Sequence, residues 1–165
     1  MKFFLPTIRT AFAVIFLDQI SKLFVLEFLN LKVRQTILVA DPYLNFRMAW
    51  NEGINFGLLS GAEARWYLIG LAVLICAWIV WWINRDRPGP WVLFSAGLVI
   101  GGAIGNIIDR VVYGAVADFL NMSCCGIENP WSFNIADISI FVGALGLIFL
   151  TGESSKGRDA ESGTG

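Results

Sequence analysis

The chain contains no histidine among its 165 residues. This absence excludes imidazole metal ligands, Ser-His-Asp and Cys-His nucleophile pairs, and a histidine general base. Acid–base chemistry must therefore come from carboxylates, lysine, tyrosine or cysteine. We expect the protein to work without a metal ion or another cofactor.

Charge is also scarce in this chain. Charged residues make up 15% of it, against about 25% in soluble domains. The 12 basic and 13 acidic residues give a formal net charge of −1, and no run of like charges favours a nucleic-acid partner. The hydrophobic share of 56% is too large for a soluble domain of this length and indicates an integral membrane protein.

Cysteine occurs at only three positions, Cys76, Cys124 and Cys125. Three cysteines do not make a disulfide framework, and the adjacent pair lacks the CxxC spacing of a redox or zinc motif. We interpret Cys76 as a small apolar helix residue. The role and redox state of Cys124 and Cys125 stay open.

Four long apolar segments are present, and a helix needs roughly 20 mostly apolar residues to cross a bilayer. We predict an all-α membrane protein with four transmembrane helices, at about residues 10–29, 66–83, 91–108 and 135–150. The first contains Asp18 and lacks a small-x-small cleavage site, so we interpret it as a retained span. A single monomeric domain over residues 1–152 is expected, and the polar, Gly/Ser-rich residues 153–165 are predicted to be disordered.

Basic residues indicate the orientation of these spans. An even number of spans places both termini on one side of the membrane. Lys2 and Arg9 near the N-terminus lie on the same side as Arg85 and Arg87, which occupy the short loop after the second span. Their density relative to loop length predicts that both termini and the tail are cytoplasmic.

A small extracytoplasmic β region is predicted between the first two spans, at about residues 36–57. Residues 43–50 alternate in polarity, which is the period of a half-buried strand. The two faces are Leu44, Phe46, Met48 and Trp50 on one side, and Asn45 and Arg47 on the other. This apolar face is expected to contact either the outer leaflet of the membrane or the helices.

Ionisable groups inside a span are expensive, so each is a candidate site residue. Asp18 and Lys22 are four residues apart and share one face of the first span. They are either a structural ion pair that faces the bundle, or a pair in which Lys22 orients loop groups near a site.

The third span carries glycines at four-residue steps, Gly97, Gly101 and Gly105, which predicts close approach of another helix. This glycine face runs directly into three polar side chains, Asn106, Asp109 and Arg110. The pattern indicates a hydrogen-bonded scaffold in which Arg110 is able to hold carboxylates or backbone carbonyls.

Asp118 and Asp137 are the most suggestive pair. Asp137 falls at the third position of the last span if Asn134 is its N-cap, and capping alone would explain it. Asp118 follows the third span by about ten residues, so both carboxylates can reach one site at the outer interface. Two such carboxylates can share one proton, so that one activates water while the other polarises a carbonyl.

Two other classes of function remain open from these residues. A small membrane transporter or channel subunit would use Asp18, Lys22 and Asp137 as an ion or proton path, and would need them at mid-membrane depth. A non-enzymatic packing partner would explain the glycines but would leave two interfacial aspartates unexplained.

Five sequence blocks resemble the lipoprotein signal peptidases (signal peptidase II), which are four-span bacterial aspartic endopeptidases. The blocks are DQISK at 18–22, NEGINFG at 51–57, GGAIGNIIDR at 101–110, VADF at 116–119 and FNIAD at 133–137. They occur in the family's order and cover nearly the whole chain. The resemblance implies removal of the signal peptide from prolipoproteins in the bacterial inner membrane, just before a cysteine that bears a diacylglyceryl group.

The resemblance also implies roles for individual residues. Asp118 and Asp137 match the catalytic aspartates, near the extracytoplasmic face. The positions that match supporting or substrate-binding residues of the family are Asp18, Lys22, Asn51, Gly53, Asn106, Asp109, Arg110 and Asn134. Its partners would be the lipid-modified prolipoprotein and membrane lipid.

Two features depart from the family pattern. Asn55 stands where the family more often has a small residue, which affects the expected substrate fit. The connection over residues 121–131 is longer than expected and carries Cys124 and Cys125.

Overall fold

A computed structural model describes the backbone of residues 2–53 and 62–162, and the side chains of residues 2–53 and 64–151. Asn55 lies outside the described residues. Within these ranges the helices are α1 (Leu5–Leu23), α2 (Leu31–Arg34), α3 (Ala62–Asp86), α4 (Pro90–Val112) and α5 (Ile135–Ser162). A 3₁₀ turn, Lys2–Phe4, precedes α1, and a π-helical turn, Phe24–Phe28, extends it.

Two of these helices are long and apolar enough to cross a membrane, over Ala64–Asp86 in α3 and Pro90–Val112 in α4. The apolar part of α5, Ile135–Thr151, is shorter. Among the described residues α1 does not qualify, and it carries three charged side chains, Arg9, Asp18 and Lys22. The arrangement of four spans therefore stays a prediction.

The outer faces of the long helices are apolar. Phe12 of α1, Leu74 of α3 and Phe149 of α5 are all more than two-thirds exposed. Many other large apolar side chains of these helices are exposed as well. A soluble protein rarely exposes so extensive an apolar surface, which is what a lipid-facing helix presents.

The central helix is α4, which packs against α1, α3 and α5. A Cβ atom built on Gly101 would lie 2.8 Å from the Cα and the carbonyl oxygen of Ala11 in α1. A Cβ atom on Gly102 would collide with the carbonyl oxygen of Ala136 in α5. The glycines of α4 thus allow close helix packing, as predicted. Gly101 faces α1 and Gly102 faces α5.

A three-stranded antiparallel sheet lies at one end of the helices, with the order β1 (Thr36–Ala40), β2 (Leu44–Asn51) and β3 (Val116–Asn121). The first two strands lie within the predicted β region. The third strand joins α4 to α5 and was not predicted. Because β3 pairs with β2, Ala49 lies opposite Asp118 and Asn51 lies opposite Val116.

A bulge interrupts the alternation expected for β2. Phe46 pairs with Leu120, whereas Ala49 pairs with Asp118, so β2 has one more residue than β3 between these pairs. Phe46 and Met48 pack in the core, but Trp50 is 43% exposed and lies against the ring of Tyr113. The prediction that Trp50 shares the buried face was therefore wrong.

The sheet rests on helical segments. Met48 of β2 and Phe119 of β3 pack with Val25 and Leu26 of the π-helical turn and Leu31 of α2. The second of the two predicted alternatives for the apolar face is therefore the one observed. This packing holds β3 against the end of α1.

The last helix extends beyond its predicted end. α5 runs to Ser162, whereas the predicted span ended near residue 150 and the tail was predicted to be disordered from residue 153. No proline lies between residues 151 and 162 to stop the helix. The apolar part of α5, Ile135–Thr151, therefore covers the predicted span, and the disorder of residues 153–165 stays a prediction.

Candidate active site

Asp118 projects from β3 into a largely buried position. The strand is buried along almost its whole length, and the Asp118 residue is only 4% exposed. Its Oδ1 accepts a hydrogen bond from Asn134 Nδ2 at 2.6 Å, and its Oδ2 accepts one from Asn51 Nδ2 at 3.2 Å. Both oxygens of this carboxyl group therefore have a fixed amide donor.

The surroundings of Asp118 change its proton affinity. The pKa of Asp118 is raised from its ordinary value of 3.8 to about 7, chiefly by burial and secondly by the nearby charge of Asp137. The hydrogen bonds from Asn51 and Asn134 and the charge of Lys22 act in the opposite direction. A carboxyl group with this pKa can carry a proton close to neutral pH.

Asp137 lies in the first turn of α5. The helix begins at Ile135, so Asn134 is the N-cap, and Asn134 Oδ1 accepts a hydrogen bond from the backbone N–H of Asp137 at 2.9 Å. The predicted capping geometry is therefore observed. The Asp137 carboxylate makes a separate contact, because its Oδ1 accepts a hydrogen bond from Asn106 Nδ2 at 2.8 Å.

Asn134 links the carboxylate of Asp118 to the backbone of Asp137. Its amide oxygen caps the helix that carries Asp137, while its amide nitrogen donates to Asp118. The same nitrogen lies 3.4 Å from Asn106 Oδ1 and 3.5 Å from the carbonyl oxygen of Ala117. Asn134 is fully buried. One side chain thus fixes an aspartate from a strand and an aspartate from a helix relative to each other.

Asn51 is oriented by its own loop. Its Oδ1 accepts a hydrogen bond from the backbone N–H of Gly53 at 3.1 Å, which leaves Nδ2 to donate to Asp118. Gly53 has a φ of +113°, a value that L side chains rarely adopt. A Cβ atom at this position would also collide with the side chain of Leu68. Gly53 therefore supports the site through the backbone.

Arg110 lies beside the pair, at the end of α4. Its Nη1 donates to the carbonyl oxygen of Asn106 at 3.3 Å. Its Nε is buried and has no hydrogen-bond partner among the described residues. Arg110 and Asn106 form the polar end of a cavity of about 190 Å³, which is otherwise lined by apolar residues of α3, α4 and α5: Ala72, Ile75, Val99, Ala103 and Ile140.

Asp18, Lys22 and Asp109 form a second, deeper group, which we call the buried ion cluster. Lys22 Nζ lies 2.7 Å from Asp18 Oδ2 and 2.7 Å from Asp109 Oδ2. All three side chains are at most 2% exposed. Of the two alternatives for Asp18 and Lys22, the ion pair facing the bundle is observed, and the sequence did not reveal that Asp109 completes it.

The buried ion cluster also binds the backbone next to each aspartate of the site. Asp18 Oδ1 accepts a hydrogen bond from the N–H of Ala136 at 3.0 Å, and Asp109 Oδ2 accepts one from the N–H of Ala117 at 3.1 Å. Ala136 directly precedes Asp137, and Ala117 directly precedes Asp118. The cluster thereby anchors both chain segments that carry the site.

The cysteines lie apart from these contacts. Cys124 and Cys125 are exposed and belong to a turn in the connection from β3 to α5, and Cys76 packs at the edge of the helical core. All three are free thiols. Within the described residues, no group of three or more Asp, Glu or Cys side chains is arranged to hold a metal ion.

Comparison with known proteins gives consistent results. The signal peptidase II family (Peptidase_A8, "Signal peptidase (SPase) II") matches residues 10–151. A lipoprotein signal peptidase of Methylobacterium sp. (strain 4-46) is 40% identical over 93% of this chain and 92% of that protein. One of Caulobacter vibrioides is 39% identical over 88% of this chain and 87% of that protein.

Solved structures agree with the sequence relatives. A bacterial membrane enzyme solved at 2.3 Å resolution superposes with a TM-score of 0.78 and 27% identity, over 92% of this chain and 90% of that chain. A second bacterial membrane enzyme, at 1.9 Å resolution, gives a TM-score of 0.75 and 28% identity, over 87% of this chain and 90% of that chain. From the family match, the relatives and the shared fold, we conclude that this chain belongs to the signal peptidase II family.

Proposed function

We propose that this protein is a membrane aspartyl endopeptidase that removes the signal peptide from diacylglyceryl-modified prolipoproteins, cleaving just before the lipidated cysteine. Its membership of the signal peptidase II family and its relatives named lipoprotein signal peptidase support a protease of this kind. The observation that carries the catalytic assignment is the connection of Asp118 and Asp137 through the single buried side chain of Asn134. Cleavage needs no cofactor in this scheme.

The two aspartates divide the chemistry. Asp118 carries the shared proton, in accord with its pKa of about 7, and donates it toward the carbonyl oxygen of the scissile peptide bond. Asp137 accepts a proton from a water molecule as the water oxygen attacks the carbonyl carbon. The resulting tetrahedral intermediate collapses when the C–N bond breaks, and the proton held by Asp137 passes to the leaving nitrogen. Asp118 regains its proton from the intermediate.

The cavity beside the pair is suited to a lipid-bearing substrate. Its apolar walls come from α3, α4 and α5, and its polar end is formed by Asn106 and Arg110. Acyl chains anchor the substrate in the bilayer by about 0.8 kcal/mol per methylene group removed from water, which concentrates a lipidated substrate beside the enzyme relative to a bare one. The unpartnered Nε of Arg110 offers a donor for a substrate carbonyl.

The proposed placement in the membrane follows from the position of the pair. Four helices, α1, α3, α4 and α5, span the bacterial inner membrane, with both termini in the cytoplasm. Asp118 follows the C-terminal end of α4 and Asp137 begins α5, so both lie near the extracytoplasmic face. The basic side chains of Arg85 and Arg87 lie at the opposite end, stacked over Trp81 and Phe3.

The transporter alternative has less support. It requires Asp18 and Lys22 to be accessible along a path, whereas both are buried in the ion cluster. The family match names a peptidase rather than a transporter.

The test is cleavage of a diacylglyceryl-modified prolipoprotein by the purified protein in detergent. We expect Asp118→Asn and Asp137→Asn each to abolish turnover, because either change removes the shared-proton pair while keeping the side-chain shape. Glu128→Gln removes an exposed carboxylate of the connection between β3 and α5 and should cleave normally. Near-normal turnover by either aspartate variant would refute the catalytic assignment, and equal cleavage of the unlipidated precursor would refute the substrate class.

A further inference from the structure

Gln19 of α1 bridges the two carboxylates of the buried ion cluster. Its Nε2 lies 3.0 Å from Asp109 Oδ1 and 3.1 Å from Asp18 Oδ2, and 3.4 Å from the carbonyl oxygen of Gly105. An amide NH₂ group has two hydrogens, and the two shorter contacts go to the carboxylates. Gln19 therefore joins Asp18 to Asp109 by a second link, separate from the one that Lys22 provides.

Gln19 supplies a hydrogen-bond donor to the Oδ1 atom of Asp109. Its Oδ2 accepts from Lys22 and from the N–H of Ala117, but within the described residues its Oδ1 accepts only from Gln19. Asp109 is fully buried. A buried carboxylate oxygen without a donor carries the full penalty of lost solvation, so the carboxyl group would turn to find another partner.

A rotation of the Asp109 carboxyl group would displace the backbone next to the aspartates of the site. Asp109 holds the N–H of Ala117, the residue before Asp118, and Asp18 holds the N–H of Ala136, the residue before Asp137. Two carboxylates with one lysine between them repel each other, and the amide of Gln19 offsets that repulsion at a second point. The separation of the two carboxylates therefore sets the separation of the two backbone segments that carry the aspartates.

The position of Gln19 on α1 supports a specific role. It also borders an apolar surface cavity of about 320 Å³, whose other lining residues are Phe12, Ile15, Phe16, Ile20 and Leu23. A polar amide is costly on such a surface unless it is hydrogen-bonded. Its bonds to the ion cluster account for a polar side chain at this position.

From these contacts we propose that Gln19 is a positioning residue of the peptidase, which sets the distance between Asp118 and Asp137 through the buried ion cluster. The proposal rests on the proposed function. Gln19 touches neither aspartate of the site, so its effect passes through Asp18, Asp109 and the backbone.

The first test is Gln19→Met, which keeps the length of the side chain and removes the amide, with Ile20→Met as the matched control on the exposed side of α1. We expect kcat to fall roughly tenfold to a hundredfold with little change in KM, because a displaced reacting group affects the chemical step more than binding. Ile20→Met should keep both constants. A Gln19→Met protein that folds and keeps kcat within about twofold of wild type would overturn the proposal.

The second test, Gln19→Glu, keeps the size and polarity of the side chain and covers the case in which Gln19→Met does not fold. An ionised glutamate would face Asp18 and Asp109 with like charge, whereas its protonated form can still donate one hydrogen bond. We expect kcat to fall roughly tenfold to a hundredfold at about pH 8, where the ionised form prevails. A Gln19→Glu protein that folds and keeps kcat within about twofold of wild type at about pH 8 would overturn the proposal.

The same assay separates this proposal from the proposed function. If Asp118→Asn and Asp137→Asn are inactive and both Gln19 variants behave as wild type, only the positioning role is lost. If either aspartate variant retains turnover, the proposed function fails, and the positioning role fails with it.

Discussion

At the residue scale, Asn134 has two tasks that substitution can separate. Serine at an N-cap keeps a side-chain oxygen for the N–H of Asp137 but has no amide to donate to Asp118. Alanine loses both contacts. The two variants therefore distinguish the cap of α5 from the hydrogen bond to Asp118.

We expect both variants to be less stable than wild type, because Asp118 Oδ1 loses its donor, and Asn134→Ala to be about 1 kcal/mol less stable than Asn134→Ser, because it also loses the cap. Both variants should lose kcat by roughly a hundredfold, because Asp118 loses its shortest hydrogen bond. Thermal unfolding in detergent and steady-state cleavage kinetics measure the two effects. An Asn134→Ser protein with normal kcat would show that the amide donor is dispensable.

The pKa of Asp118 makes activity depend on pH. Its value of about 7 lies above the ordinary 3.8, so kcat should fall as pH rises through about 7 and the shared proton is lost. Asn51 favours the ionised form, so Asn51→Ala should move this fall in kcat to higher pH. The measurement is kcat against pH for wild type and variant, and a shift to lower pH would contradict the assignment.

The same pKa has a consequence for stability. The protonated form of Asp118 is favoured in the folded protein relative to the unfolded chain, because the folded pKa is the higher one. The stability that this group contributes is complete below about pH 4 and is lost as pH rises through about 7. In the Asp118→Asn protein this part of the pH dependence of unfolding should disappear.

At the scale of elements, the close packing of α4 against α5 depends on Gly102. A Cβ atom there would meet the carbonyl oxygen of Ala136, a backbone atom beside the N-terminus of α5. We expect Gly102→Ala to lower the free energy of unfolding by about 1–3 kcal/mol and to reduce cleavage, since Ala136 precedes Asp137.

A matched control lies on α3. Gly70 has open space around the position of a Cβ atom, so Gly70→Ala should leave stability unchanged or raise it slightly through helix propensity. Thermal unfolding of both variants in detergent compares them. If Gly102→Ala were as stable as Gly70→Ala, the close contact between α4 and α5 would not matter for folding.

The elements also show what the sequence can and cannot predict. The helices followed from long apolar segments and β2 from its alternation, because these signals are local. Strand β3 was missed because it is short and mostly apolar, and its partner is distant in the chain, with a separation of 67 residues between Asn51 and Asp118. The bulge in β2 depends on that pairing, so the exposure of Trp50 had no local signal.

The site shows the same limit. Asp118 and Asp137 were identified from their residue type and position, and Asn134 from the capping pattern. The ion pair between Asp109 and Lys22 was not predicted, because it depends on the packing of α4 against α1. The contact between Gln19 and Asp109 was not predicted, since nothing in the segment around Gln19 indicates a contact 90 residues away.

At the scale of the whole molecule, the proposed orientation places the pair and the sheet on the outer side of the membrane. We expect a reporter fused after Gly165 to be active only in the cytoplasm, and one inserted within residues 32–43 to be active only on the outer side. Activity of both reporters on the same side would contradict the three spans predicted between residue 43 and the tail.

The exposed cysteines give an independent readout of the same orientation. Cys124 and Cys125 are exposed, whereas Cys76 lies within α3 at the edge of the core. A membrane-impermeant maleimide added to spheroplasts should label wild type but not the Cys124→Ser, Cys125→Ser double variant. Labelling only after the membrane is made permeable would place this connection in the cytoplasm.

The double task of Asn134 also bears on how the enzyme loses activity when it is heated. The bond that starts α5 and the bond that holds Asp118 belong to one side chain, so fraying of the first helical turn disconnects the two aspartates at once. Partial melting at this point would leave no weakly active species. Residual activity during heating should therefore be proportional to the fraction of molecules in which the first turn of α5 is still intact.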